Sequence, residues 1–219
     1  MHFFKKIKEY IKATPLWIQY KYRKEIRKKN TENNRILKNW KKNGMPVPPP
    51  LIFKQLVIKE YANKYNTSIF IETGTYFGDT LDYCKNIFNK LISIELDAIL
   101  YKNAKNKFAD ENKIVIYPGD SGQVIKNILS AISEPCLFWL DGHYSEGITA
   151  KGELNTPILN ELKHIFDHPI KDHVILIDDA RCFTGNNDYP TISTLRSIIK
   201  EHDPGLQFSV DADIIRVHR

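Results

Sequence analysis

From residue 69 onward, short apolar runs rich in β-formers alternate with amphipathic stretches, and this alternation leaves the chain few folds to choose from. Runs at 69–73, 91–95, 113–117, 136–140 and 173–178 read as strands. Helical patterns fit before and between them, at about 53–65, 79–88, 98–109, 121–132 and 154–166, with a last helix near 191–201. Strands joined by helical crossovers pair in parallel, so the pattern predicts an α/β fold with helices on both faces of the sheet. Two closing apolar runs, Leu206 to Val210 and Ile214 to Val217, flank Asp211-Ala212-Asp213 and predict an antiparallel hairpin.

The 219 residues, 42% of them apolar, suit one domain of moderate size plus an extension. Charge is divided unevenly between the two. The first 42 residues hold 14 Lys/Arg against Glu9, Glu25 and Glu32, out of 32 basic and 26 acidic residues in the whole chain. The remainder is therefore mildly acidic. Phe3, Phe4, Ile7 and Ile11 recur at helical spacing with Lys5, Lys8 and Lys12 elsewhere, until Pro15 interrupts. A short basic amphipathic helix of this kind suits three roles: a solvated helix or lid, an anionic membrane surface, or nucleic acid. Met45 to Pro50 holds four prolines and reads as a linker, which sets the boundary between a 1–50 extension and a 51–219 domain. Cys84, Cys136 and Cys182 are widely spaced and form no C-x-x-C pair, so neither a disulfide framework nor a zinc site is indicated. No apolar run reaches the roughly 18 residues of a membrane span, and no secretory leader is visible; a cytoplasmic protein is expected, peripheral at the inner membrane face if the extension binds lipid.

The first predicted strand runs into Ile71-Glu72-Thr73-Gly74-Thr75-Tyr76-Phe77-Gly78-Asp79-Thr80, and the second ends in Ser93-Ile94-Glu95. A strand that enters a glycine turn and then a helix is a seat for a nucleotide-like ligand. Gly74 and Gly78 lack the G-x-G-x-x-G spacing that brings backbone against a pyrophosphate, so a dinucleotide is not expected. Glu95 follows Gly74 by 21 residues, close to the roughly 20 that place a carboxylate on a ribose hydroxyl pair. A ribose-bearing cofactor is indicated.

These residues resemble the first two motifs of the class I S-adenosylmethionine-dependent methyltransferases, E-x-G-x-x-x-G-x-[ST] followed by an acid ending the second strand. Glu72, Gly74, Gly78, Thr80 and Glu95 stand at the matching positions. The resemblance implies a Rossmann-like, mostly parallel seven-stranded sheet with a C-terminal antiparallel hairpin, and S-adenosyl-L-methionine held by Glu72, Thr73, Gly74, Gly78 and Glu95. It also implies that Asp120 and Ser121 lie beside the adenine, though a plain helix N-cap explains the same two residues.

In that strand order the first, fourth and fifth strands are neighbours, about 4.8 Å apart. Asp141, in Leu140-Asp141-Gly142-His143-Tyr144, would then converge with the Asp178-Asp179 pair on the rim that carries Gly74. Three carboxylates so close disfavour joint ionisation unless a cation is bound, and oxygen ligands favour Mg²⁺ or another hard divalent ion. The alternative is that each acid merely caps a helix. The constellation is similar to the metal-dependent sugar O-methyltransferases of macrocin and aminocoumarin tailoring, which implies Asp141, Asp178 and Asp179 as metal ligands, with Asp141 also in the catalytic centre. That group usually carries an acid where His143 stands here. A histidine can accept a hydroxyl proton near neutral pH, so His143 is the candidate base. The expected activity is methyl transfer to a hydroxyl of a sugar or glycan. Two alternatives stand beside it: an RNA methyltransferase using the basic extension, and a cofactor-binding regulatory protein without turnover. A homo-oligomer is compatible with either. His164, His168 and His173 are scattered and read as structural or solvated.

Overall fold

The structure, a computed structural model, describes residues 15–142 and 156–219. The chain divides into two compact units, one ending at Phe53 and one running from Lys54 to Arg219.

In the first unit, helix α1 (Pro15–Lys42) begins at the proline expected to interrupt a helix. A proline at the first helical position lacks only an N–H that would be unbonded there, and its fixed φ already suits the helix. The apolar repeat at residues 3 to 11 lies outside the described residues. Side chains of α1 described from Tyr20 to Asn39 are mostly exposed, including Lys21, Arg23, Lys24, Arg27, Lys28 and Lys29. In its last turn Trp40 is buried, with its ring 4.7 Å from Phe53 and its Nε1 donating to the Pro46 carbonyl at 2.7 Å. The proline run itself is non-helical, as its composition requires. No described helix is long and apolar enough to cross a membrane.

Helix α2 (Leu51–Tyr65) carries the chain into the second unit, where seven strands form one sheet. They are β1 (Ile69–Thr73), β2 (Lys90–Glu95), β3 (Ile114–Pro118), β4 (Cys136–Leu140), β5 (Val174–Ile177), β6 (Gln207–Asp211) and β7 (Ile214–His218). Their order is β3-β2-β1-β4-β5-β7-β6, with all pairs parallel except β5 with β7 and β6 with β7. The crossovers are α3 (Asp79–Cys84), α4 (Ala98–Lys107), α5 (Ser121–Leu129) and α6 (Ile158–Asp167), and α7 (Ile192–His202) precedes the hairpin. Both the α/β class and the closing antiparallel hairpin are as the sequence pattern predicts.

The central strands β1, β4 and β5 are buried along their whole length, so alternate residues feed two cores. Ile69, Ile71, Phe138, Ile175 and Ile177 pack with Ile125, Ile128, Leu162 and Ile165 from α5 and α6. Each such side chain, fully buried, contributes about 1.5–3 kcal/mol. Ala212 and Asp213 form the hairpin turn, both at positive φ (45° and 65°), as a two-residue connection between twisted strands requires. Two helices are shorter than their sequence patterns. α3 stops at Cys84 because Phe88 leaves the helical path to pack its ring 5.1 Å from Phe70. α6 starts only at Ile158, since Pro157 occupies its N-cap. Of the three histidines, two are structural: the Cys136 N–H donates to His173 Nδ1 at 3.0 Å, and His173 Nε2 lies 3.0 Å from His168 Nδ1.

Candidate active site

The sheet register places the candidate residues in one row. Thr73 pairs with Ile94 on one side and with Leu140 on the other, and Leu140 pairs with Ile177. The next residue of each strand leaves the sheet at the same level. Hydrogen bonds step across this rim: Gly74 N–H to Ile94 O (3.0 Å), Asp141 N–H to Thr73 O (3.2 Å), Asp178 N–H to Leu140 O (3.0 Å) and Gly119 N–H to Glu95 O (2.9 Å). Gly74, Glu95, Asp141 and Asp178 are therefore brought together at the carboxyl ends of the strands, where open parallel sheets bind ligands.

On the β1–β2 side the loop 74–78 is fixed by contacts within the protein. Gly74 has φ +84°, and a Cβ there would lie 2.6 Å from the Asp141 carbonyl oxygen. Gly78 has φ +69°, and a Cβ there would lie 2.6 Å from the Phe108 ring. Both positions thus need glycine for conformation and for close approach. Lys107 Nζ donates to the Phe77 carbonyl at 2.8 Å and pins the outer part of the loop. Glu95 closes the turn from β2: its Oε2 accepts the Tyr76 N–H (2.8 Å) and its Oε1 the Asp97 N–H (2.9 Å). Burial pushes the Glu95 carboxyl above the usual carboxylate range, and the backbone N–H groups of Asp97, Tyr76 and Thr75 oppose that rise. A carboxylate has about four acceptor sites, so capacity for a further donor remains beyond these N–H groups.

Four other residues expected on the cofactor side have structural work in the fold. Glu72 is 1% exposed and accepts Ser93 Oγ at 2.9 Å, while Ser93 Oγ also lies 2.6 Å from Thr75 Oγ1. Burial holds the Glu72 carboxyl well above its ordinary range. It supports the turn from beneath. Thr73 Oγ1 accepts the N–H groups of Asp141 (3.2 Å) and Gly142 (3.1 Å), tying the end of β1 to that of β4. Asp120 is the N-cap of α5, its Oδ1 accepting the Gly122 N–H at 2.8 Å, and Ser121 is buried beside it.

On the β4–β5 side the sequence missed a principal participant. Lys54, on α2, places Nζ 2.5 Å from Asp178 Oδ2 and 3.4 Å from Asp179 Oδ1. Burial disfavours its charge, but Asp178, Asp179 and Asp141 more than compensate and raise its pKa. Burial and the Asp141 charge push the Asp178 carboxyl upward, against the pull of Lys54. Asp179 is held in the left-handed region (φ +54°) and accepts Arg181 Nη1 at 2.6 Å. The hairpin turn locks this corner, because Asp213 accepts the Arg181 backbone N–H at 2.8 Å and pairs with its guanidinium. His143 lies outside the described residues.

The expectation of a divalent ion on Asp141, Asp178 and Asp179 does not fit this donor set. Asp178 Oδ1 already accepts the Asp179 N–H at 2.8 Å and its Oδ2 carries the lysine ammonium, while Asp179 Oδ1 is shared by Lys54 and Arg181. Mg²⁺ needs oxygens at about 2.0–2.1 Å that are free to turn toward it. Among the described residues no group of three or more His, Cys, Asp or Glu side chains forms a metal cluster.

Beneath the seam between the two sides lies a second residue the sequence reading passed over. Glu161, on α6, is 1% exposed and hydrogen-bonds with Ser121 and Thr73, while its Oε1 has no partner among the described residues. Burial pushes its carboxyl up to about 7, the hydroxyls of Ser121 and Thr73 lower it, and Asp120 and Asp141 raise it. Both missed residues had a signal in the sequence. Glu161 stands in the apolar stripe Ile158, Leu162, Ile165, and Lys54 stands four residues before buried Ile58. A charged residue on a helix's buried face marks an internal partner.

No family model matches the chain, and no curated protein matches it in sequence. Solved structures do match it in shape. An O-methyltransferase of Streptomyces achromogenes, in complex with S-adenosylmethionine, superposes with a TM-score of 0.57 at 11% identity, over 84% of this chain and 87% of that one. A Bacillus cereus O-methyltransferase in complex with S-adenosylhomocysteine gives 0.56 at 12% identity over 86% and 91% of the two chains. A Podospora anserina methyltransferase, also bound to S-adenosylhomocysteine, gives 0.56 at 14% over 84% and 86%. The chain has the class I methyltransferase fold. At these identities the likeness carries the fold alone, and within the methyltransferase fold the rim described above is the region at the strands' carboxyl ends.

Proposed function

We propose that this chain is an S-adenosylmethionine-dependent O-methyltransferase acting on a hydroxyl of a sugar or glycan. The observation that carries the reading is Glu95, buried at the tip of β2 and held against the Gly74 turn by the Tyr76 and Asp97 N–H groups. A carboxylate at the tip of the second strand, following the glycine turn, is the group that takes a ribose hydroxyl pair in folds of this kind. The bound cofactors in two of the shape-matched O-methyltransferases support the same ligand.

The chemistry S-adenosylmethionine supplies when bound is an electrophilic methyl: the carbon–sulfur pair leaves with sulfur, the acceptor oxygen bonds the carbon, and the hydroxyl proton departs to a base. Gly74, Gly78 and Glu95 hold and orient the cofactor, with Thr73 keeping the two halves of the rim in register. Asp141 faces the acceptor, and His143 is the proposed receiver of the proton. Alignment of the two reacting atoms at about 3–3.5 Å is the chief demand. A rim rich in carboxylates suits an acceptor with many hydroxyls, which supports a sugar. No step needs a divalent ion.

Titration calorimetry with S-adenosylhomocysteine tests the reading. Micromolar binding that weakens in Glu95→Gln is expected, and absence of binding by the folded wild type would sink it. The exposed basic surface of α1 favours a second proposal, contact with an anionic membrane or with RNA. Charge reversal at Lys24, Lys28 and Lys29 should abolish binding to anionic vesicles or to RNA, whichever is seen. Equal binding by the two proteins would remove the proposal.

A further inference from the structure

We propose that Lys54 is the resident cation of this site: its ammonium holds the place among Asp141, Asp178 and Asp179 that a divalent ion would otherwise take, and it positions the acceptor oxygen. The first half stands on geometry alone. The second rests on the methyl-transfer reading.

Three acids at adjacent strand ends need a positive charge close by. Lys54 supplies it from α2, before the first strand, with Nζ in direct contact with Asp178 Oδ2 (2.5 Å) and within reach of Asp179 Oδ1 (3.4 Å). The lysine side chain is only 15% exposed and that of Asp178 only 1%, so water screens the pair little. A second cation at the same oxygens would have to displace the ammonium or sit a few ångströms from it, and at that distance repulsion in a partly buried site is strong. Lysine and metal are thus mutually exclusive occupants.

The ammonium is also equipped to act on a hydroxyl. Of its three N–H bonds, two are directed to Asp178 and Asp179 among the described residues. The third remains for an acceptor oxygen. A fixed positive charge beside that oxygen steadies the negative charge that builds on it as its proton departs, which is the electrostatic part of what a Lewis acid does. Asp178 and Asp179 restrain Lys54, and Arg181 with Asp213 restrains Asp179 in turn.

The test is calorimetric titration of the full chain with Mg²⁺ alone, for wild type, Lys54→Met and Lys54→Arg. The wild type and the arginine variant should give no binding heat up to millimolar Mg²⁺. Lys54→Met, with the ammonium gone from Asp178 Oδ2, should bind Mg²⁺ at least tenfold more tightly than wild type. A lysine that does not occupy the cation's place among these acids would leave Mg²⁺ affinity unchanged on removal. Wild-type binding as tight as that of Lys54→Met overturns the proposal, and so does a folded Lys54→Met that binds no Mg²⁺. If the methionine variant does not fold, the wild-type titration decides: micromolar Mg²⁺ binding overturns the proposal and its absence supports it. The same samples titrated with S-adenosylhomocysteine separate the two readings. Loss of that signal in wild type defeats the methyltransferase proposal and leaves the resident cation standing.

Discussion

The two halves of the rim are built on different principles. The β1–β2 half is assembled from residues close in sequence, 74 to 78 and 93 to 97, and its partners are mostly backbone N–H groups, as with Tyr76 and Asp97 on Glu95. The β4–β5 half draws its charges from distant places: Lys54 reaches Asp178 across 124 positions, and Asp213 reaches Arg181 across 32. Local backbone cradles suit a ligand held the same way each time. Long-range side-chain pairs can be exchanged one by one without changing the fold.

The sharpest way to break this comparison is to strike the point where the halves touch. Gly74→Ala places a Cβ 2.6 Å from the Asp141 carbonyl oxygen at a φ of +84°. Backbone cannot give way as a side chain can, so a loss of more than about 3 kcal/mol is expected. Thermal melting should show it, together with loss of S-adenosylhomocysteine binding. A variant with unchanged melting would mean that the halves are not in contact.

Glu161 tests the seam through pH. Its carboxyl is raised to about 7 in the folded chain, above the ordinary 4.5. The folded state therefore keeps its proton where the unfolded chain has lost it, and stability falls as pH rises from about 4.5 through 7. The change amounts to about 3 kcal/mol for this fully buried group. Glu161→Gln, which stays neutral, should flatten that part of the melting-temperature profile and melt higher than wild type at pH 8. Parallel profiles for the two proteins would show that Glu161 does not hold its proton in this window.

The difference between the halves also governs what the sequence revealed. The strands, their parallel pairing and the hairpin were legible because apolar periodicity and turn chemistry are local signals, and the turn at Gly74 and Gly78 was legible by its glycines. Asp141, Asp178 and Asp179 could be placed on a common rim only through a topology. What neutralises them could not be seen, since no spacing rule joins Lys54 to residues on the far side of the sheet order. A divalent cation was expected at these acids, and in the structure Lys54 Nζ lies against Asp178 and Asp179. Helix ends slipped where a tertiary contact overrode the pattern, as Phe88 does on Phe70.

Glu95→Gln should act on one half alone. A charge-assisted hydrogen bond is worth about 1.5–3 kcal/mol, so S-adenosylhomocysteine affinity should fall by about tenfold or more. Mg²⁺ binding by the Lys54→Met background should be unchanged by adding this substitution. Coupling between the two would show in calorimetry as a double variant whose Mg²⁺ affinity differs from that of Lys54→Met, and the halves would then not be separable.

The smallest expected effect falls on Asp120, where capping and cofactor contact predict the same residue. Its Oδ1 accepts the Gly122 N–H at 2.8 Å, so Asp120→Ala should cost about 1 kcal/mol of stability through the lost cap. Asparagine caps a helix about as well as aspartate, so Asp120→Asn should melt like wild type. That substitution removes the charge and one acceptor oxygen while leaving α5 in place. A drop in S-adenosylhomocysteine affinity in Asp120→Asn at unchanged melting temperature assigns the second oxygen to the cofactor and extends the backbone-held half as far as α5. Equal affinity confines Asp120 to capping, and the cofactor half then ends at Glu95.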